Sequence, residues 1–202
     1  MTVAPSLKQM QEAGFTVGGE PLVALDLADT LMTAVDPAID LWSSPERLEQ
    51  WWDLQAGRLP AGPRPDHMAV VRLRASVREV LDAQVAGRPA QSVAVDDINA
   101  ASSAVPTSLR LVLAPDGQLT AQTRWHTEYG GHPTLAHIAR EVITLLSDAK
   151  TLQRLRRCAN PECSMLFLAL NNRRRWCADN ICGNRARVAK HYARTHAGRQ
   201  AS

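Results

Sequence analysis

The sequence predicts a mainly helical α+β protein, with a helical N-terminal domain that contains one β-hairpin and a small C-terminal module that ends in a helix. Three observations predict this class. Apolar residues recur at three- and four-residue steps over 66–87 and again from Pro133, which is typical of helices. Strand-forming residues flank a turn at Pro115-Asp116-Gly117. All four cysteines of the 202-residue chain fall within 158–182, in a segment too short to fold by apolar burial alone.

The first part of the chain is expected to lead into an apolar segment that carries two acidic residues. Residues 1–20 are mixed in composition, which indicates a loose or extended lead-in. The segment 21–31 follows, and on a helix Asp26 and Asp29 would share a face. These two side chains could line a ligand pocket, but we favour the interpretation that they accept hydrogen bonds from neighbouring backbone.

A helix is predicted to begin at Ser44-Pro45-Glu46, because serine caps a helix, proline suits its first position and an acid suits its first turn. The helix is expected to stop near Gly57. It carries Trp51 and Trp52. Adjacent residues on a helix point in different directions, so we expect that both tryptophans cannot face the core fully.

Two further helices are predicted in the middle of the chain. Asp66 is expected to cap a long helix whose arginines, Arg74 and Arg78 among them, fall largely off the apolar face. A shorter helix is expected to begin at Asp96 or Asp97.

A β-hairpin is predicted over 109–125, where two β-rich stretches flank the turn. A helix is then expected from Pro133, with no Pro/Gly/Ser-rich linker after it. This helix is predicted to continue through Leu152 and Leu155 toward Cys158, so that a helix joins the two parts of the chain.

No arrangement of catalytic residues is found in the sequence, and we expect that the protein is not an enzyme. There is no Ser-His-Asp or Cys-His pattern and no glycine-rich phosphate loop. His126, His132 and His137 are spaced by six and five residues, which places no two of them on one helical face. They are expected to be solvated or hydrogen-bonded, and not to bind metal.

The four cysteines form two pairs with the same internal spacing. Four residues separate Cys158 from Cys163, four separate Cys177 from Cys182, and thirteen lie between the pairs. Four thiolates make one closed tetrahedral zinc site, and each pair can present both sulfurs from one turn. The sequence therefore predicts one structural Zn²⁺ ion held by these four residues.

Two other uses of the cysteines compete with zinc binding. Disulfides suit secreted chains, whereas residues 1–20 show no signal-peptide pattern. A thiol redox sensor is the second alternative, since nearby arginines favour the reactive thiolate. The equal spacing of the two pairs within one arginine-rich segment favours zinc over both.

Charge divides the chain into an acidic and a basic part. From residue 151 onward the chain holds eleven Lys and Arg residues against two acids, a net charge of +9. The first 150 residues hold 12 Lys and Arg residues against 18 acids, a net charge of −6. A basic end on an acidic body is the charge layout of a nucleic-acid-binding module attached to another domain.

The basic part is expected to fold around the metal. The first cysteine pair is predicted to lie on a turn that leads into an extended stretch over 166–168, and the second pair to enter a helix over about 180–196 that Asp179 caps. Three residues are expected to form the side of this helix that packs on the metal core: Ile181, Val188 and Tyr192.

Basic side chains on the loop before the second cysteine pair, and on the other side of the helix, are the candidate contacts to nucleic acid. The arginine guanidinium suits bidentate hydrogen bonding to phosphate or to guanine edges, and we expect most of these residues to contact phosphate. The candidates are Arg173, Arg174, Arg175, Arg187, Lys190 and Arg194.

Several of these features together resemble one family. The chain shares with the CGNR zinc finger the Cys-x4-Cys pair, Leu166-Phe167-Leu168, the arginine run, Trp176-Cys177 and Cys182-Gly183-Asn184-Arg185. Residues 169–172 depart from the family, which usually has an Asp in this place and a Ser among the arginines. The resemblance implies a bacterial transcription regulator with a small treble-clef-like finger. Trp176, Asn184 and Arg185 are then expected to support the metal site or the local structure.

The N-terminal part resembles the ABATE domain, which commonly precedes the CGNR finger. In that domain a Gly-Gly is followed by a stretch similar to Leu-x-Leu-Asp-Phe-x-Asn-Thr. The corresponding residues here run from Gly18-Gly19 to Thr30, with Leu27 in the place of Phe and Asp29 in the place of Asn. We therefore expect a lead-in over 1–20, an ABATE-like domain over 21–152, a CGNR finger over 153–197 and a tail over 198–202.

The predicted function is that of a zinc-dependent, DNA-binding transcription regulator in the cytoplasm, whose N-terminal domain senses a ligand or dimerises. The alternatives are an RNA-binding or protein-interaction zinc module and the thiol redox sensor. The expected partners are DNA, a small-molecule effector of the N-terminal domain and a second copy of the chain. No membrane partner is expected, because no run of eighteen apolar residues is found.

Overall fold

The computed structural model of the protein describes residues 4–15 and 18–200, with the side chains of 196–200 left out. The described residues form two compact units. One unit comprises Met1–Arg58 and Ser147–Ser202, and the other comprises Leu59–Leu146. The predicted fold class is confirmed: the chain is mainly helical, with small antiparallel strand pairs and a cysteine cluster that precedes the last helix. The predicted domain boundaries stay a prediction.

The elements follow in chain order. They are α1 (Leu7–Glu12), α2 (Val23–Ala28), β1 (Leu31–Met32), β2 (Ile39–Asp40), α3 (Pro45–Gln55), α4 (His67–Ala86), α5 (Ser92–Ser103), β3 (Thr107–Leu113), β4 (Leu119–Trp125), α6 (Pro133–Ser147), α7 (Ala149–Leu152), β5 (Leu155–Arg157), β6 (Leu166–Leu168) and α8 (Asn184–Gln200). Strands pair antiparallel as β1 with β2, β3 with β4 and β5 with β6. None of the described helices is long and apolar enough to cross a membrane.

Helix α1 corrects the expectation of a loose lead-in. Ser6 caps it through a reciprocal capping box, in which its side chain accepts from the backbone N–H of Gln9 while the Gln9 side chain accepts from the N–H of Ser6 at 2.8 Å. The capping pair satisfies backbone N–H groups that the start of a short helix would otherwise leave unpaired. The predicted lead-in also included residues 1–3 and 16–17, which lie outside the described residues.

The predicted start of α3 is confirmed, but the expectation for its tryptophans is wrong. Ser44 accepts from the N–H of Arg47, and Pro45 begins the helix. Trp51 and Trp52 are both buried, with 0% and 2% of their surface exposed. Their rings pack edge to face with centroids 4.9 Å apart, and Trp42 completes the cluster at 5.3 Å from Trp51. A third tryptophan from outside the helix thus helps to bury both.

Asp26 is the centre of a buried polar network in this unit. Its carboxylate accepts from the Glu20 N–H at 3.0 Å, from Gln55 at 3.2 Å and from Arg58 at 2.7 Å. The Asp26 and Arg58 side chains are 0% and 6% exposed. The favoured interpretation from the sequence, hydrogen bonding and not a ligand pocket, agrees with this placement of Asp26.

In the second unit, α4 begins and ends as predicted. Asp66 accepts from the Ala69 N–H at 2.9 Å, and Gly87 ends the helix in the left-handed conformation with φ of 64°. Arg74 and Arg78, which were expected to fall largely off the apolar face, are both buried. The Arg78 guanidinium is compensated by Asp82, one helical turn away, at 2.9 Å.

Helix α5 begins at Ser92, before the predicted start at Asp96 or Asp97. Asp97 lies within the helix, where its carboxylate accepts from Arg72 and, at 3.0 Å, from Ser76 on α4. Asp97, one of the two residues expected to begin α5, therefore links α5 to α4.

The hairpin β3–β4 is confirmed, with Leu111 opposite Ala121 at its middle. The predicted continuous helix toward Cys158 is wrong. Helix α6 ends at Ser147, and the Asp148 side chain accepts from the Lys150 N–H at 3.1 Å to start the short helix α7. Leu155 then lies in strand β5.

Asp26 is predicted to titrate about two pH units above an ordinary aspartate. Burial raises its pKa from 3.8 to about 6, despite the Arg58 guanidinium. The folded state therefore binds this proton more tightly than the unfolded state does. The Asp26 contribution to the free energy of unfolding is fully present below about pH 4 and is lost as the pH rises through about 6.

Carbon NMR of the side-chain carboxyl groups between pH 8 and 5 measures this pKa, and the Asp26→Asn variant assigns the resonance. We expect a midpoint near 6. A resonance that remains ionised down to pH 5 would contradict the expectation.

Candidate metal centre and nucleic-acid interface

The four cysteines lie together in the first unit. Cys158 follows β5, Cys163 lies in the turn to β6, Cys177 lies in the loop after β6, and Cys182 lies in the π-type turn Asp179–Gly183 before α8. All four side chains are buried, and their Sγ atoms lie within 4.8 Å of one another. The Sγ atoms of Cys163 and Cys177 are 3.8 Å apart.

These distances fit a zinc ion. Sulfurs bound to zinc at about 2.3 Å occupy tetrahedral corners about 3.8 Å apart. Hydrogen bonds from Cys163 and Cys177 lower the pKa of Cys158. The hydrogen bond to Cys158 in turn raises the pKa of Cys163 and the pKa of Cys177. Thiols this close therefore need a bound cation before all of them can ionise. The cluster can therefore hold one zinc ion, as the sequence predicted for the cofactor.

N–H groups from both cysteine-bearing segments donate to the sulfurs. The backbone N–H of Cys177 donates to Sγ of Cys158 at 3.5 Å, and the side-chain amide of Asn160 donates to Sγ of Cys182 at 3.7 Å. Such bonds stabilise thiolate charge and fix the direction of the sulfur. Cysteine spacing does not predict the Asn160 contact, which joins the two cysteine pairs.

Two buried acidic side chains satisfy the free edge of β6. The N–H of Leu166 donates to both carboxylate oxygens of Asp29, at 3.0 and 3.1 Å, and the N–H of Leu168 donates to Glu20 at 3.0 Å. Asp29 is 4% and Glu20 is 6% exposed. A buried N–H without a partner is costly, so these carboxylates replace a missing neighbouring strand. The Asp29 contact spans 137 residues of sequence and explains what this residue does.

Other residues near the N-terminus also contact the finger. Leu7 and Met32 pack against the cluster that contains the cysteines. The Thr33 N–H donates to Ser164 Oγ at 2.9 Å, and the Asn180 side chain donates to Gln11 at 3.0 Å. The finger is therefore built together with residues from α1 to Thr33 as one packed structure.

Arg174 is bonded inside the finger. Its guanidinium donates to Glu20 at 2.7 Å and to the backbone carbonyls of Leu168 and Cys177 at 3.2 and 2.9 Å, and it lies 4.3 Å from the centre of the Phe167 ring. These bonds use the donors that a phosphate would need. The structure thus revises the prediction for Arg174. This residue holds the arginine loop, the segment Arg173-Arg174-Arg175, against β6.

The neighbours of Arg174 face solvent. Arg173 and Arg175 are exposed, and Arg175 lies 5.6 Å from the centre of the half-buried Trp176 ring. A cleft of about 490 Å³ opens here, lined by Arg173, Arg175, Trp176 and Leu7 among others. Trp176 also packs against the cysteine cluster.

The helix that follows the cluster is mostly exposed. Ile181 packs against the cysteine cluster, but Val188 and Tyr192 are 45% and 60% exposed, so the prediction that they pack on the metal core is wrong. Every residue of α8 from Arg187 to Thr195 is exposed. Lys190 and Arg194 are exposed on the same stretch.

Asp179 does not cap the helix as predicted. Ala178 is the residue before the turn Asp179–Gly183, and no side chain caps it. Asp179 instead pairs with Arg187 at 3.0 Å, and its carbonyl accepts from the same guanidinium at 3.1 Å. This pair directs Arg187 along the start of α8.

The Gly-Asn-Arg signature is explained only in part. A Cβ on Gly183 would lie 2.4 Å from the Asp179 carboxylate and 3.2 Å from Trp176, so only glycine fits without movement. Asn184 and Arg185 are exposed, and among the described residues neither side chain makes a hydrogen bond. The expectation that Asn184 and Arg185 support the metal site or the local structure stays a prediction.

Each of the three histidines has a polar partner. His126 contacts Ser108 and Glu128, His132 contacts the carbonyl of Pro63, and His137 contacts Glu141. Among the described residues, the four cysteines are the one group of three or more side chains placed to hold a metal ion.

Asp29→Ala is predicted to destabilise the zinc-loaded protein by about 1–3 kcal/mol, because it leaves the buried Leu166 N–H without its acceptor. Urea unfolding followed by tryptophan fluorescence measures the change. Asp96→Ala, an exposed aspartate on α5, is the matched control and is expected to change stability by less than about 0.5 kcal/mol. Equal effects of the two substitutions would contradict the assigned contact.

Comparison with known families agrees with the site. A family model described as "Putative stress-induced transcription regulator", ABATE, matches residues 22–149. The model of the CGNR zinc finger matches residues 154–195, which include all four cysteines. Neither is a family of enzymes, and no curated protein matches the chain. The first match covers more than half of the 202 residues. The chain therefore belongs to the ABATE family of regulators, and its C-terminal part is a CGNR zinc finger.

Proposed function

We propose that the protein is a zinc-dependent, DNA-binding transcription regulator. The observation that carries this proposal is helix α8. Every charged residue in its 17 positions is basic, and all of its residues from Arg187 to Thr195 are exposed. A helix of this length is about 25 Å long, and the major groove of B-DNA admits a helix.

Zinc is given a structural role in this proposal, with Cys158, Cys163, Cys177 and Cys182 as its ligands. Cys182 lies in the turn that leads into α8, and the other three sulfurs belong to the strand pair and the loop. The ion would therefore fix where α8 begins and which way it points. Since α8 has little packing of its own beyond the first turn, this anchor sets the position of its basic side chains.

Five basic residues are proposed to contact phosphate: Arg173, Arg175, Arg187, Lys190 and Arg194. Arg187 is paired with Asp179, but the two side chains are 59% and 79% exposed. An ion pair this exposed is worth little, so a phosphate can replace the carboxylate. Arg174 is left out of the set because its guanidinium is bonded to Glu20 and to backbone carbonyls.

The residues before the finger are proposed to sense a ligand or to bring two copies together. The net charge of −6 over the first 150 residues does not suit contact with a polyanion. Ligand binding or dimerisation by these residues then raises or lowers the affinity of the finger for DNA.

The salt dependence of binding tests the proposal and needs no knowledge of the target site, since phosphate contacts act on any duplex. Fluorescence anisotropy with a duplex of random sequence is expected to show log affinity falling against log salt with a slope of about −4.5 for five phosphates. Replacing Arg175, Lys190 and Arg194 by alanine should reduce the slope by about 2.7. Zinc removal by a chelator should abolish binding.

Lys150→Ala is the control for this measurement. Lys150 is an exposed cation on α7, outside the proposed contact set, and its loss should leave the slope unchanged. Absence of duplex binding by the zinc-loaded chain would refute the proposal. Tighter binding to structured RNA than to duplex DNA would favour the RNA-binding alternative.

A further inference from the structure

The hairpin β3–β4 exposes one apolar face. Its register places Leu109 opposite Thr123, Leu111 opposite Ala121 and Leu113 opposite Leu119, and residues opposite each other share a face. The four leucines of this face, called here the leucine face, are 65–81% exposed: Leu109, Leu111, Leu113 and Leu119.

The leucine face is covered only at its base among the described residues. There Trp125 lies half-buried, 5.1 Å from the Arg140 guanidinium and 6.2 Å from the His137 ring. An isolated two-stranded hairpin is marginally stable in water, and contiguous exposed apolar patches mark interaction sites. The leucines are therefore placed for a partner.

We propose that the leucine face is a dimerisation surface that packs face to face against the leucine face of a second copy of the chain. The face carries no charge, because Arg110 and Arg124 lie on the opposite side of the hairpin. The leucine faces of two copies can therefore pack against each other without placing like charges side by side. Two sheets packed in this way lie about 10 Å apart, with their side chains interdigitated.

The area of the leucine face suits such a dimer. A leucine side chain contributes about 100 Å² of apolar surface, so four leucines contribute about 400 Å² per copy and about 800 Å² in total. Ala121, Thr123 and the flanking backbone bring the total to about 1,000 Å², the size at which specific interfaces begin. A weak, concentration-dependent dimer is therefore expected.

This surface gives a location to the dimerisation role in the proposed function, and it does not depend on DNA binding. Its test uses the zinc-loaded full chain without DNA, so the failure of one proposal leaves the other to be judged by its own measurement.

Sedimentation velocity over about 1–200 µM, a range that spans a micromolar Kd, measures self-association. The wild-type chain is expected to pass from monomer to dimer. Leu111→Glu and Leu113→Glu should each raise the dimer Kd by about tenfold or more, since each buries a charge in the interface. Gln122→Glu places the same residue on the opposite face, beside Arg110, and should leave the Kd unchanged.

Circular dichroism and zinc content are measured on each variant, and no change is expected because the substituted positions are exposed. A wild-type chain that stays monomeric over the whole range would overturn the proposal and leave the leucine face to a different partner. A dimer that survives both leucine substitutions, or that Gln122→Glu weakens equally, would overturn it as well.

Discussion

Four cysteine sulfurs that can hold one zinc ion are the constraint on which the C-terminal part of this protein depends. They join the turn between β5 and β6, the loop after β6 and the start of α8, and apolar side chains from these segments pack around them. Without a common ion, four buried thiols within 4.8 Å could not all be deprotonated. With it, metal–thiolate bonds act together with the packing of Ile181 on the cysteine cluster to fix the start of a basic and exposed helix.

A second set of interactions supports this centre from the other end of the chain. Asp29 and Glu20 satisfy the outer edge of β6, and Glu20 also holds Arg174 against the finger. The three neighbouring arginines thus differ: Arg174 is bonded to Glu20 and to backbone carbonyls, while Arg173 and Arg175 are exposed. Small zinc modules commonly fold on their metal alone, whereas this one also uses carboxylates more than a hundred residues away.

The features that the sequence predicted are those encoded by local signals. Cysteine spacing, the Ser44 and Asp66 caps and the turn at Gly117 each involve residues close in sequence, and each is confirmed by the structure. Several of the errors come from tertiary contacts, whereas the capping box of α1 and the Asp148 cap of α7 are local. Trp42 completes a cluster that buries both Trp51 and Trp52, and Arg174 finds Glu20 154 residues away. Helical periodicity placed Val188 and Tyr192 on an apolar side, but both side chains are exposed in the structure.

X-ray absorption at the zinc edge of the freshly purified protein tests whether four cysteine sulfurs bind one zinc ion, because it counts the ligands and identifies their atoms. The account predicts one zinc ion with four sulfur neighbours at about 2.3 Å and no oxygen or nitrogen in the first shell. Fewer than four sulfurs around the ion, or a chain without zinc whose cysteines are paired as disulfides, would contradict it.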